Sequence, residues 1–178
     1  MDAAADAILI GIGANLAGRF ATPLAACEAA VAALEQAGVA VLARSRWYRS
    51  QPVPASAQPW FVNGVVRVAT RLPPAALLQM MHGIEERFGR VRRERNAARI
   101  IDLDLLAYGR CRQQDGLELP HPRLDRRRFV LLPLAEVAPG WCHPSSGRTV
   151  AELVAAADQD QLIEPLTEPM PQADGSAP

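Results

Sequence analysis

Residues 100–108 read Ile100-Ile101-Asp102-Leu103-Asp104-Leu105-Leu106-Ala107-Tyr108. Apart from two carboxylates the run is apolar, which predicts a buried strand over Ile100–Tyr108. Strand residues two apart point to the same face, so Asp102 and Asp104 stand side by side. Two negative charges a few ångströms apart on an apolar strand repel each other and desolvate badly. A divalent cation removes both costs. Hard oxygen donors on a rigid strand suit Mg²⁺, which keeps several waters and shares its site with substrate phosphates. The competing reading is an edge strand with solvated aspartates, and the Asp-x-Asp pattern alone does not choose between them.

Immediately upstream lies a polar loop, Arg90–Arg99, that with Arg87 carries Arg87, Arg90, Arg92, Arg93, Arg95 and Arg99, broken in sign only by Glu94. A charge run is usually a solvated face. This one is nearly one-signed and leads straight into the paired carboxylates. A metal beside guanidinium forks is the arrangement that phosphoryl transfer needs, because charge must be neutralised on several phosphate oxygens at once.

Further upstream, Pro73 and Pro74 open a helix that runs to about Phe88, with Leu77, Leu78, Met81 and Ile84 on its apolar face and Gly89 as its stop. Val62–Thr70 alternates as a strand. Gln51–Pro59 carries three prolines and is a loop. Val39–Tyr48 is rich in β-branched and aromatic residues and reads as another strand. Thr22 followed by Pro23 marks the start of a helix to Gln36, with Gly38 after its end. Ile8–Ile12 is a short buried strand running into a turn at Gly13, Ala14 and Asn15. Downstream come a turn over Gly109–Gly116, a helix over Arg126–Val137 interrupted by Pro133, and a short helix over Thr149–Ala157. The order strand, helix, strand, strand, helix, strand is the split pattern of a ferredoxin-like α+β domain. Its βαββαβ core gives a mostly antiparallel sheet with helices packed on it and additional C-terminal elements. We expect one domain over residues 1–164, and a disordered tail over 165–178 from its Pro, Ala, Gly, Ser and acidic content.

Composition excludes several classes. The chain has 178 residues, formal net charge zero and 49% hydrophobic residues, so nothing global argues for a nucleic-acid or membrane-surface partner. No apolar run reaches the ~18–20 residues a membrane span needs, and the acidic, alanine-rich start lacks the positive region of a secretory signal. Cys27, Cys111 and Cys142 form neither a disulfide framework nor a zinc signature, which suits reduced thiols in a cytoplasm. There is no lysine; all 19 fixed cations are arginine. An RNA-binding module is the main rival on this fold, but no aromatic-rich RNP strand is present.

Three other places could carry chemistry. Trp60-Phe61-Val62-Asn63 puts aromatic faces beside an amide, able to stack on and hydrogen-bond a planar heterocycle; a core aromatic at a strand start is the plainer reading. His121-Pro122 precedes a second arginine cluster, Arg126, Arg127 and Arg128, followed by Phe129.

Taken in order, these segments resemble the 6-hydroxymethyl-7,8-dihydropterin pyrophosphokinase family of folate biosynthesis. The resemblance runs through I-L-I-G-I-G-A-N-L from Ile8, W-Y-R-S-Q-P from Trp47, Q-P-W-F-V-N-G from Gln58 and I-E-E-R-F-G-R-V-R from Ile84. It continues in R-E-R-N-A-A-R-I-I-D-L-D-L-L-A-Y-G from Arg93 and the stretch from Leu119 to Pro139. The resemblance implies that the β-phosphorus of ATP is attacked by the pterin hydroxymethyl oxygen, with AMP leaving. It further implies that Asp102 and Asp104 ligate two Mg²⁺ ions. Arg90, Arg92 and Arg99 would lie at the triphosphate, with Arg127 helping. Phe61 and Phe129 would sandwich the pterin, Asn63 would bond its edge, and the backbone near Ser50, Gln51 and Val53 would complete that pocket. Glu85, His82 and His121 would lie near the nucleotide. A cytoplasmic monomer acting on small molecules, with neither nucleic acid nor membrane as partner, is the implied setting. The chain departs from the family pattern at Ala14, Gln51, Asn96 and Ala98, none of which is a proposed metal or phosphate ligand.

Overall fold

A computed structural model describes residues 6–90 and 98–167. The elements follow the sequence order closely. They are β1 (Ile8–Ala14), α1 (Pro23–Gln36), β2 (Ala40–Arg44), β3 (Tyr48–Ser50), β4 (Phe61–Ala69), α2 (Pro74–Arg87), β5 (Asp102–Tyr108), a 3₁₀ turn (Leu124–Arg126), α3 (Arg128–Val137), α4 (Val150–Ala156) and β6 (Ile163–Pro165). Thr22 caps α1, its Oγ1 accepting from the Ala25 N–H at 3.0 Å, with Pro23 at the first helical position.

All strand pairs are antiparallel, in the order β5-β1-β4-β3-β6, with β2 lying along the other half of β4. Counting β2 and β3 as one broken strand gives the expected βαββαβ core. The expected single strand Val39–Tyr48 is thus two strands. At the break the Ser45 hydroxyl accepts from the Val65 N–H at 3.0 Å, and Trp47 lies over the backbone of Gly64, where a Cβ would come within 2.6 Å of its ring.

The sheet is covered on both faces. Ile10, Ile12, Val62, Val66, Val68, Leu103 and Leu105 face α1 and α2, meeting Cys27, Leu34, Leu77, Met81 and Ile84 in one aliphatic core. Leu9, Val65 and Leu106 face the other way and pack with Leu131, Leu134 and Val137 of α3 and Val150 and Leu153 of α4. Pro133 sits inside α3 without interrupting it, against the sequence expectation. A proline in a helix interior forfeits one backbone bond, and here burial of Pro133 together with Val130, Leu131 and Leu134 holds the helix through it.

Residues 163–165 are a strand rather than the approach to a tail. Pro165 pairs with Tyr48, and the Leu166 N–H donates to the Trp47 carbonyl at 2.8 Å, so the first residues of the expected tail belong to the sheet. The remainder of that expected tail, from 168, lies outside the described residues.

Candidate active site

The site is built on the face of the sheet shared with α3 and α4, where those helices leave part of it uncovered. Asp102 and Asp104 project from β5 opposite Gly13 and Gly11 of β1. Those two glycines matter because a Cβ at Gly13 would lie 3.1 Å from the Asn63 amide oxygen, and one at Gly11 would occupy the space against Leu106, in contact at 3.4 Å. Leaving out both side chains keeps a trough open beside the carboxylates.

The carboxylates stand inside a ring of guanidiniums. Asp102 is paired with Arg90 and Arg99, each at 2.6 Å, and Arg127 approaches Asp104 at 3.6 Å. Burial and the neighbouring Asp102 charge push the Asp104 carboxyl up to about 6. That is the electrostatic tension expected of paired acids on an apolar strand. Glu85, almost fully buried in α2, fixes the geometry from behind. Its carboxylate accepts from the Leu103 N–H at 2.8 Å and pairs with Arg90.

Asn15 ties three loops together. Its side-chain oxygen accepts from the Arg99 N–H at 2.8 Å, and its amide group donates to Gln58 Oε1 and the Pro59 carbonyl at 3.2 and 3.3 Å. The arginine loop, the proline loop and the end of β1 are therefore positioned by one buried amide. A second amide, Asn63, donates to the Ser50 hydroxyl at 2.9 Å.

Two cavities meet at these residues. The larger, about 630 Å³, brings together Ser50, Gln51, Val53, Phe61, Asn63, Arg90, Arg99, Asp102, Asp104, Arg127 and Phe129. The smaller, about 580 Å³, is lined by His82, Glu85, His121, Gln114 and Glu118 and shares Arg90, Asp102 and Asp104 with the first. Every site residue expected from the sequence thus borders one cavity or the other, except Arg92, which lies outside the described residues. His121 has its Nδ1 accepting from the Arg123 N–H at 3.2 Å. Burial, then the charges of Arg127 and Arg123, push its pKa down to about 4. The imidazole is therefore neutral at physiological pH and presents an Nε2–H donor.

Sequence reasoning missed Arg123, which also lines the larger cavity, and gave Gly11 and Gly13 no part in the site. Arg123 follows His121-Pro122 directly, so its place between the histidine and the second arginine cluster was the available signal. The glycines alternate with Ile10 and Ile12 along β1, and that period of two marks one face as bare.

Among the described residues no three His, Cys, Asp or Glu side chains converge on one point. The paired aspartates offer hard oxygen donors, a set that suits an ion drawing its other ligands from water and phosphate.

The model of the family 7,8-dihydro-6-hydroxymethylpterin-pyrophosphokinase matches residues 9–139. The chain belongs to this family. Among its relatives, the 2-amino-4-hydroxy-6-hydroxymethyldihydropteridine pyrophosphokinase of Synechocystis sp. is 41% identical over 152 residues, covering 84% of this chain and 75% of that protein. The protein of the same name from Methylorubrum extorquens is 40% identical over 150 residues, covering 84% and 92%. The crystal structure of wild-type Plasmodium falciparum HPPK-DHPS superimposes with a TM-score of 0.62 at 13% identity over 84% of this chain, and the chain spans 44% of that longer protein. That likeness concerns the fold. The pyrophosphokinase family match spans β1 through α3 and so includes both cavities.

Proposed function

We propose that the chain transfers the diphosphate of ATP to the hydroxymethyl group of 6-hydroxymethyl-7,8-dihydropterin, releasing AMP, with Mg²⁺ held by Asp102 and Asp104. The observation that carries this reading is the sharing of Asp102, Asp104 and Arg90 by two cavities of different character. To the shared charged cluster the first adds aromatic and amide walls, and the second adds His82, His121 and two glutamates. An acceptor in the first and a nucleotide in the second would meet at the carboxylates.

The larger cavity suits a pterin. Phe61 and Phe129 supply ring faces for stacking, while Asn63, Ser50 and the backbone at Gln51 and Val53 supply donors and acceptors for its edge. In the smaller cavity His121 offers a neutral donor, and His82 and Glu85 border the nucleotide. Arg90, Arg99 and Arg127 border the cavities and would take the triphosphate, a role that the family resemblance extends to Arg92. Bound Mg²⁺, two ions in this reading, supplies neutralisation of the phosphate charge at Asp102 and Asp104. In the reaction the pterin oxygen bonds to the β-phosphorus as the bond from that phosphorus to the α-phosphate oxygen breaks, and the hydroxyl proton is lost to water. Positioning and charge neutralisation carry most of the acceleration in such a transfer. Both cavities are made from one chain, which supports a monomer as the working unit. No helix among the described residues is long and apolar enough to cross a membrane, and three free cysteines suit a cytoplasmic setting.

The test is a product assay with ATP, Mg²⁺ and the pterin, resolving the nucleotides. AMP that forms only when pterin and Mg²⁺ are both present supports the reading. Pyrophosphate release would instead mark nucleotidyl transfer, and absence of any product from the folded protein would overturn the assignment.

A further inference from the structure

The residues after α4 reach back across the molecule and touch both walls of the larger cavity. On one side Gln161 engages the start of α3. Its Oε1 accepts from the Arg128 N–H at 2.9 Å, and its Nε2 donates to the Arg126 carbonyl at 2.9 Å. The Arg128 guanidinium returns the contact, donating to the carbonyls of Gln159 at 3.2 Å and Gln161 at 3.4 Å. On the other side the Gln51 N–H donates to the Leu162 carbonyl at 3.2 Å, and Ile163–Pro165 pairs with Tyr48–Ser50.

The first N–H groups of a helix lack partners within it, and a side chain at the N-cap position usually supplies one. Arg127 occupies that position in α3 and makes no such bond. Gln161, from a segment 33 residues away, does the work instead. It holds both the carbonyl before the cap and the N–H after it, which fixes the direction in which the chain enters α3. Arg127 and Phe129 flank that bond. Both residues line the larger cavity together with Asp104, Ser50 and Gln51, and the same strap holds Ser50 through β3 and Gln51 through its N–H.

We infer that Gln161 is a positioning residue for the acceptor cavity, acting as the cap of α3 from outside the helix and setting the distance between the Phe129 wall and the Ser50–Gln51 wall. The inference rests on the reading of the larger cavity as the pterin site. The hydrogen bonds of the strap named above go to β3, to Gln51 and to the start of α3; Arg127, set at the triphosphate in the proposed reading, flanks them but is itself drawn to Asp104 at 3.6 Å, so the larger effect falls on the pterin.

Steady-state kinetics of the full chain, varying each substrate, test this. Gln161→Met keeps the length and removes both polar atoms. It raises KM for the pterin about five- to tenfold, the size of a lost cap, and leaves KM for ATP within about twofold. Gln161→Glu keeps the acceptor for the Arg128 N–H but loses the donor to the Arg126 carbonyl, and it returns the pterin KM part of the way to wild type. An unchanged pterin KM in Gln161→Met, equal rises for both substrates, or no rescue by Gln161→Glu would each overturn the role of Gln161. Wild-type protein that makes no AMP in response to the pterin would overturn the cavity reading beneath it, so the two failures are told apart by the wild-type control.

Discussion

The two faces of the sheet are built from the same strands and differ in what alternate residues do. Toward α1 and α2, β1 offers Ile10 and Ile12, β4 offers Val66 and Val68, and β5 offers Leu103 and Leu105, building an aliphatic layer whose β5 edge, with His82 and Glu85 of α2, borders the smaller cavity. Toward α3 and α4 the matching positions are Gly11 and Gly13, Asn63, and Asp102 and Asp104, which line a cavity. A single register therefore puts the aliphatic core on one side and the carboxylate pair on the other. A one-residue slip in β5 would place carboxylates in the core and leucines in the site.

That division predicts a separation of effects. The largest is Asp104→Ala, which removes half of the carboxylate pair. Turnover falls by about 10³-fold or more, the loss of several kcal/mol of charge stabilisation, while the thermal midpoint does not drop, because the variant also removes a carboxyl whose burial, and then repulsion from Asp102, raise its pKa. Single-turnover AMP formation and calorimetry on the same sample check both halves. Next is Leu34→Ala on the opposite face, where the side chain is fully buried. It costs about 2–5 kcal/mol of folding stability in denaturant titration and leaves kcat near wild type at low temperature. A large kcat loss there would break the comparison.

Phe129→Ala is smaller. Loss of one stacking face weakens pterin binding by about 1–3 kcal/mol, the scale of base–aromatic stacking, with ATP affinity little altered; equilibrium titration of each ligand distinguishes the two. The smallest concerns Glu136 of α3, which is paired with Arg46 at 2.7 Å and accepts from Tyr48. Burial opposes its ionisation, but the hydrogen bonds from Arg46 and Tyr48 outweigh burial and hold the carboxyl below its ordinary value of 4.5. A depressed folded-state pKa stabilises above the unfolded value and loses that contribution as pH falls through the folded one. Glu136→Gln is therefore less stable than wild type at neutral pH by under about 1 kcal/mol, and the gap narrows in melts below about pH 4.

The closed face was the legible one. Apolar periodicity placed α1 and α2 almost to the residue, because a cap such as Thr22 and a stop such as Gly89 act within a few positions of the helix they bound. The Asp pair was legible too, since a strand period of two is enough to put Asp102 and Asp104 together. Three features depended on partners distant in sequence. The break at Ser45–Trp47 follows from Gly64, the continuity of α3 through Pro133 follows from its burial, and β6 exists because Tyr48–Ser50 offers an edge. None of these leaves a local pattern. Arg123 was overlooked for a different reason: in an arginine-rich stretch, residue type alone does not say which guanidinium turns inward.

The arginine ring around the carboxylates carries a practical consequence. With no lysine in the chain, no side-chain amine contributes to substrate binding, and amine-directed reagents or lysine acetylation have no side-chain target in the site. Vicinal dicarbonyls, which condense with guanidiniums, are the matching reagents. A nucleotide seated among Arg90, Arg99 and Arg127 would shield those groups, so the order in which labelled arginines disappear from a peptide map would trace the ligand's footprint.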